Sequence, residues 1–280
     1  MVVSLLSKMM NLAEVWKIRD DGTNPCRHVV KYKENKRKRY LSADELRALG
    51  EAIAEDARIK ESLPSALTAI RLLILTGCRR SEILTLRWEH VDLAGHCLRL
   101  PESKTGAKIV HLNAPALEIL TGLKRDPSGW VLPGKRARGR LINIQKPWDR
   151  LSARVSVRLW SANPDPQISG LVEKLRQKLK REPSAAECQK VAANAGISLP
   201  SHLLDARIHD LRHSFASVAV SGGLSLPIIG ALLGHSQPQT TQRYAHLAAD
   251  PMKAATEKIG EAIVGMMEGK SATVTKTGTR

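Results

Sequence analysis

Apolar and polar positions divide the chain into stretches of helical period with one interruption. Over 5–18 the apolar residues recur at helical spacing, and Asp20-Asp21-Gly22-Thr23-Asn24-Pro25 ends that pattern as a turn. Ser42-Ala43-Asp44-Glu45 has a serine cap with glutamate three residues on, so each side chain can satisfy the other's free amide; it opens a helix to about Lys60. A second helix follows Pro64 and reaches Leu75, Gly77 breaks it, and a short helix carries Arg79 to Leu86. From Val91 the period changes. Residues 96–100 and 108–112 are short strands flanking a hairpin turn, Lys104-Thr105-Gly106-Ala107, and Trp130-Val131-Leu132 is a candidate third strand. Beyond it the chain reads as helix. Within 159–205 the pattern is less regular: Asn163-Pro164-Asp165-Pro166, a charged helix over 171–181, and another from Glu182-Pro183-Ser184 to about Gly196. Its second half loosely resembles part of a helix-turn-helix, but a surface helical insertion is the favoured reading. Asp250-Pro251 supplies a cap and a first-turn proline for a last helix, on which Ile259, Ile263 and Met266 form one apolar stripe.

Composition narrows the fold class. Hydrophobic residues make up 42% and aromatics only 3%, so aliphatic side chains must fill the core, which favours helices over a β-sandwich. The expected class is mainly α with a small antiparallel β-sheet. Cys26, Cys78, Cys97 and Cys188 are far apart, as free thiols in a reducing cytoplasm would be. The net charge of +17 calls for a polyanion, nucleic acid first and anionic membrane second. No apolar run approaches the roughly 20 residues that span a bilayer. A basic run carries Arg27, Lys31, Lys33, Lys36, Arg37, Lys38 and Arg39 against Glu34, either a linker lying along phosphates or a solvated tether. Residues 135–158 hold eight basic residues and one acid, a second candidate DNA-facing stretch that includes Arg136, Arg138 and Arg140.

Phosphoryl transfer needs a nucleophile, cations for the charge on the phosphorus oxygens, and an acid for the leaving oxygen. Four stretches offer these groups. Thr76-Gly77-Cys78-Arg79-Arg80-Ser81-Glu82-Ile83 places Arg79 just after a glycine break, at a helix start where amides and guanidinium can face one anion. Lys104 lies in the hairpin turn, whose tip can hold an ammonium beside a phosphodiester. In His209-Asp210-Leu211-Arg212-His213, His209 and Arg212 stand three apart on one helical face. Leu232-Leu233-Gly234-His235 is followed nine residues on by Tyr244, within Thr241-Gln242-Arg243-Tyr244-Ala245-His246, a polar helical segment rather than a core pattern. Each stretch alone is weak, since turn lysines and post-turn arginines are mostly solvated.

In this order and spacing the four stretches resemble the catalytic domain of the tyrosine recombinases, the phage integrase family. The resemblance runs from about Asn24 to Met267 and is interrupted at 159–205, where the family has a much shorter connection. It implies that Arg79 and Arg212 clamp the scissile phosphate, that His209 and His235 hydrogen-bond it, and that His209 also helps to move the nucleophile's proton. It implies Lys104 as the acid for the departing 5′-hydroxyl, with Lys108 a second basic residue of the hairpin; Tyr244 as the nucleophile of a 3′-phosphotyrosyl link; and Glu82 as a buttress. No metal, cofactor or ATP is implied, because the phosphotyrosine conserves the bond energy. The implied partner is double-stranded DNA with inverted-repeat-like core sites, bound by a homotetramer through the C-terminal helix bearing Ile259, Ile263 and Met266. The implied setting is cytoplasmic, on the nucleoid, in a mobile element or prophage.

Rival readings remain at this point. His209 and His213 stand at a zinc-binding spacing, but the acid of a His-Glu-x-x-His motif is missing, so a core or DNA-facing His213 is preferred. A type IB topoisomerase shares the chemistry, and a non-catalytic DNA-binding protein could share the fold. The organisation expected is a remnant of a core-binding domain at 1–23, a basic linker at 24–41, a catalytic domain at 42–268 and a flexible tail at 269–280. Such a short first part predicts a fragment or a short gene product, with chemistry intact and site affinity reduced.

Overall fold

The computed structural model describes residues 2–30, 32, 39–101, 106–135, 139–235 and 237–247. Lys31, Lys33, Lys36, Arg37, Lys38, Lys104, Arg136, Arg138 and the stripe of Ile259, Ile263 and Met266 lie outside them. The chain divides into two compact units, Met1–Lys38 and Arg39–Arg280.

The first unit is a helix with a strap folded onto it. Helix α1 spans Val2–Val15. Asn24 is buried and donates to the Ser7 carbonyl at 3.0 Å and to Asn11 Oδ1 at 2.6 Å, while its own oxygen accepts from the Cys26 amide at 2.8 Å. Arg27 reaches buried Glu14 at 3.3 Å.

In the second unit the local signals act as the sequence predicts. Helix α2 (Ala43–Ile59) starts at the Ser42/Glu45 reciprocal cap and ends at Lys60, which is left-handed. Helix α3 (Pro64–Thr76) begins on its proline and stops at Gly77. One turn of helix, α4 (Arg80–Leu84), follows. Strands β1 (Val91–Asp92), β2 (Cys97–Leu100) and β3 (Lys108–His111) form an antiparallel sheet in that order, with Val91 opposite Leu98 and Leu98 opposite Val110. The third strand is therefore β1. Trp130-Val131-Leu132 instead returns to the chain before the sheet: the Val131 amide bonds the Leu86 carbonyl at 3.0 Å, and Trp130 bridges Arg87.

Helix α5 (Ala114–Gly122) is capped by Asn113, and α6 (Gln145–Ser161) lies against α2. Helix α7 spans Pro166–Leu179, starting earlier than the sequence pattern suggested, because Asp165 caps it through the Gln167 amide with Pro166 in the first turn. Helix α8 (Ala185–Asn194) begins at a second reciprocal cap, Ser184 with Glu187. Then come α9 (Asp210–Ser221), α10 (Leu226–Leu233) and α11 (Pro238–Gln242).

Three apolar clusters hold these elements. The largest joins α2, α3, α5, α6 and the sheet through Leu49, Ile70, Ile83, Leu98, Leu120 and Trp148. A second lies under the 159–205 insertion, where Val157 and Trp160 of α6 meet Ile168, Val172 and Cys188. The insertion thus has its own small core, and Trp160 pins its far end by donating to the Pro200 carbonyl at 2.8 Å. A third cluster gathers Ala216, Val220, Ile229, Leu233 and Tyr244. Tyr244 is therefore a core residue by packing, contrary to the polar surroundings of its sequence.

Candidate active site

The site forms where the ends of three helices meet. Gly77 closes α3 with φ 62°, a left-handed conformation, and a Cβ there would lie 2.6 Å from Phe215 Cδ1 and 2.9 Å from Leu233 Cδ2. Only glycine fits that approach without strain. The approach brings the Gly77 carbonyl to Arg212 on α9, which donates to it through Nη1 at 2.6 Å. Nη2 of Arg212 donates at 2.6 Å to the carbonyl of Leu233, the last residue of α10. Arg212 is 4% exposed. Burial, and then the neighbouring Arg79, lower its pKa, yet a guanidinium remains charged in a protein. Neutral carbonyls fix its position without cancelling its charge.

Arg79 sits between Gly77 and α4. Glu82 accepts from the Arg79 amide at 2.8 Å and from its Nη1 at 2.9 Å. The same carboxylate accepts from Lys108 Nζ, at the start of β3, at 2.8 Å. Burial would raise the Glu82 pKa, but Lys108 and then the Arg79 amide outweigh it and hold the carboxyl below its usual range. Two cations thus share one carboxylate. Lys108 is a partner of Glu82, buried down to 10% side-chain exposure, rather than an outward basic residue.

The titratable groups of α9–α11 face this cluster. His235 follows α10, and its Nδ1 meets Thr241 Oγ1 on α11 at 2.8 Å. Its pKa is lowered to about 4, first by burial and then by Arg212 and Arg79. His209 directly precedes α9, and its pKa is lowered by desolvation and by Arg212. The Tyr244 hydroxyl lies 2.5 Å from His213 Nδ1. Burial raises the phenol's pKa, against the pull of Arg243 and Arg212. His213, in turn, is edge-on to His209 with ring centroids 5.0 Å apart.

Arg79, Glu82, His209, Arg212, His235 and Tyr244 are therefore gathered by elements far apart in the chain. His213 is the member that the sequence reading set aside as core or DNA-facing. Its spacing from His209 and its place beside Arg212 were the available signals. Two candidate DNA contacts are occupied elsewhere. Arg39 is held by Glu45 at 2.6 Å, Asp205 at 2.7 Å and the His202 carbonyl at 2.8 Å. Arg140 pairs through its backbone with Pro133, and its Nη1 reaches the Leu141 carbonyl at 3.3 Å. Further along the second basic stretch, Arg150, Arg154 and Arg158 turn to the acids of α2 and its following turn. Among the described residues no three His, Cys, Asp or Glu side chains gather as metal ligands, and no helix is long and apolar enough to cross a membrane.

Residues 39–250 match the phage integrase family. The chain belongs to this family. A tyrosine recombinase XerD of Bifidobacterium longum is 27% identical over 224 residues, covering 76% of this chain and 59% of that protein. The integrase of Salmonella phage P22 is 27% identical over 250 residues, 88% of this chain and 53% of its own length. The chain thus spans a little over half the length of these relatives. Among solved structures, the XerH site-specific recombinase bound to palindromic difH has a TM-score of 0.51 at 17% identity, over 84% of this chain and 57% of that one. A lambda integrase dimer bound to a COC′ core site has a TM-score of 0.50 at 19% identity, over 87% and 57%. Like this integrase-family chain, these relatives have the fold of tyrosine recombinase catalytic domains.

Proposed function

We propose that this chain is a site-specific recombinase or integrase that cuts and rejoins DNA strands through a 3′-phosphotyrosyl link on Tyr244. The observation that carries the reading is Arg212, a buried guanidinium that donates to two backbone carbonyls, beside a buried phenol. Such a cation is preorganised for an anion and needs no rearrangement to receive it. Arg79 and Arg212 clamp the scissile phosphate, and His209 and His235 hydrogen-bond it. Held neutral, His235 acts there as a hydrogen-bond donor or acceptor rather than as a cation. Glu82 orients Arg79, and Lys104 protonates the departing 5′-oxygen. The phosphotyrosine stores the bond energy for religation, so neither ATP nor a metal enters the cycle.

The substrate in this reading is double-stranded DNA with inverted-repeat-like core sites, bound by a tetramer whose contacts run through the helix of Ile259, Ile263 and Met266. Solved structures of similar fold bound to a palindromic substrate and to a core site support the DNA part of that reading. Bacterial and phage relatives support a cytoplasmic, nucleoid-associated setting. Helix α1 is read as the last helix of a core-binding domain; Leu5, Met9 and Val15 on it and Trp16 just after it are exposed apolar side chains that suit a further packing partner.

Covalent trapping tests the proposal. The protein is incubated with fragmented genomic DNA, quenched with detergent, and the protein-linked ends are sequenced, with Tyr244→Phe in parallel. Adducts at one short inverted-repeat-like site, lost in Y244F while DNA binding persists, are expected. Scattered adducts point to topoisomerase-like nicking, and adducts that persist in Y244F remove Tyr244 from the role.

A further inference from the structure

We propose that His213 is the base that receives the phenolic proton of Tyr244. The proposal rests on the reading of Tyr244 as nucleophile and gives a role to a residue that the family resemblance left without one. A phenol attacking near neutral pH must lose a proton that it ordinarily holds to about pH 10. Burial makes that loss harder here. A base must therefore touch the hydroxyl, and the group within hydrogen-bond reach is His213 Nδ1 at 2.5 Å. His209, the expected proton carrier, stands behind it, its ring edge-on to that of His213.

The groups facing His213 are His209, Asp210 and Arg212 on its own helix and Arg243 and Tyr244 on the segment packed against it. Burial, and then these mostly cationic neighbours, lower its pKa to about 4, so the free protein holds it neutral with a lone pair to offer. The same field opposes proton uptake until an anion arrives. A phosphodiester between Arg79 and Arg212 offsets those charges and raises the basicity of His213, so the nucleophile is activated when its target is in place. The phenolic O–H breaks and its proton passes to Nδ1. The phenol oxygen bonds phosphorus while the bond from phosphorus to the 5′-oxygen breaks. That oxygen takes its proton from a separate acid, assigned above to Lys104. On religation the imidazolium returns its proton to the phenol.

The experiment uses the full chain and a nicked duplex bearing its cleavage site, reading the single-turnover rate of adduct formation. His213→Asn leaves an acceptor oxygen near the position of Nδ1 but cannot hold the proton. It is expected to cleave roughly 10²-fold slower or worse, with DNA affinity within about twofold. Replacing Tyr244 by a trifluorotyrosine, whose phenol is largely ionised at neutral pH, should restore the variant at least about tenfold and change the wild type by less than about threefold, because an ionised phenol needs no base. Three results overturn the proposal: H213N within about threefold of wild type, no rescue by the acidic phenol, or equal acceleration of both proteins. The wild-type arm with the acidic phenol stands even where H213N folds poorly. If the wild type forms no adduct on any DNA, the Tyr244 reading fails and this inference with it. If the wild type is linked through Tyr244 and H213N keeps pace, only the role of His213 fails.

Discussion

On α6, Arg158 reaches Glu55 at 2.8 Å and Glu51 at 3.2 Å, and Arg154 reaches Glu61 at 2.8 Å. At the candidate site, Arg212 donates to the carbonyls of Gly77 and Leu233, and Arg79 and Lys108 share Glu82. The residue type is the same and the electrostatics are opposite. The α6 arginines are cancelled by carboxylates, keep 24–35% side-chain exposure, and act as partly solvated ties between two helices. Arg212 has been taken out of water by backbone oxygens that fix its fork and leave its charge. A count of basic residues therefore says little about where an anion binds. What decides it is whether the fold neutralises the cation or leaves its charge for the substrate's phosphate.

The comparison can be pressed with substitutions. Arg212→Ala should have the largest effect. Removing a preorganised charge at a phosphoryl-transfer site should slow adduct formation by roughly 10²–10³-fold or more. Two buried carbonyls also lose their donors, at about 1–3 kcal/mol each, which a denaturant titration would read. A variant that cleaves at the wild-type rate would return Arg212 to a purely structural role. Gly77→Ala comes next. Its positive φ costs about 1–3 kcal/mol for a side chain, and the Cβ meets Phe215. Because the Gly77 carbonyl holds Arg212, cleavage should fall along with the melting temperature; a loss of stability with unchanged cleavage would separate the two. Arg158→Ala should be small, under about 1 kcal/mol, with cleavage unchanged, as expected of a solvated ion pair. A large loss of DNA binding in R158A would show that the α6 arginines also face DNA.

Acid should act on the site through its partly buried histidines. His213 and His235 have folded pKa values lowered to about 4 from an ordinary 6.5. Between those values the unfolded chain binds more protons than the native state, so stability rises with pH across the window and is flat above it. Glu82, depressed below the usual carboxylate range, adds a loss of the same sign at lower pH. Melting curves from pH 4 to 7 should show this slope, and His213→Asn should flatten it. An unchanged slope in that variant would mean that other groups set it.

The sequence made local features readable and hid the remote ones. The Ser42/Glu45 cap, the proline start and glycine stop of α3, and the β2–β3 hairpin follow from residues within a few positions of each other. So does the order of Arg79, His209, Arg212, His235 and Tyr244. One partner of Arg39, Glu45, lies six residues on but reads as part of the α2 cap, while its other, Asp205, lies 166 residues away; the partner of Lys108, Glu82, lies 26 residues back. Tyr244 read as polar-faced because Val220 and Ile229, which cover it, belong to earlier helices. The start of α7 was missed for a different reason: Asn163-Pro164-Asp165-Pro166 has a loop's composition, yet its last two residues are a cap and a first-turn proline.

The most direct test of the account is to find which atom carries the DNA. The trapped complex is digested with nuclease and trypsin, and the peptide bearing a nucleotide is sequenced by mass spectrometry. A single modified peptide is expected, beginning at Tyr244 directly after Arg243, with a 3′-linked nucleotide on the phenol. A nucleotide on any other residue, or a 5′ linkage, would contradict it.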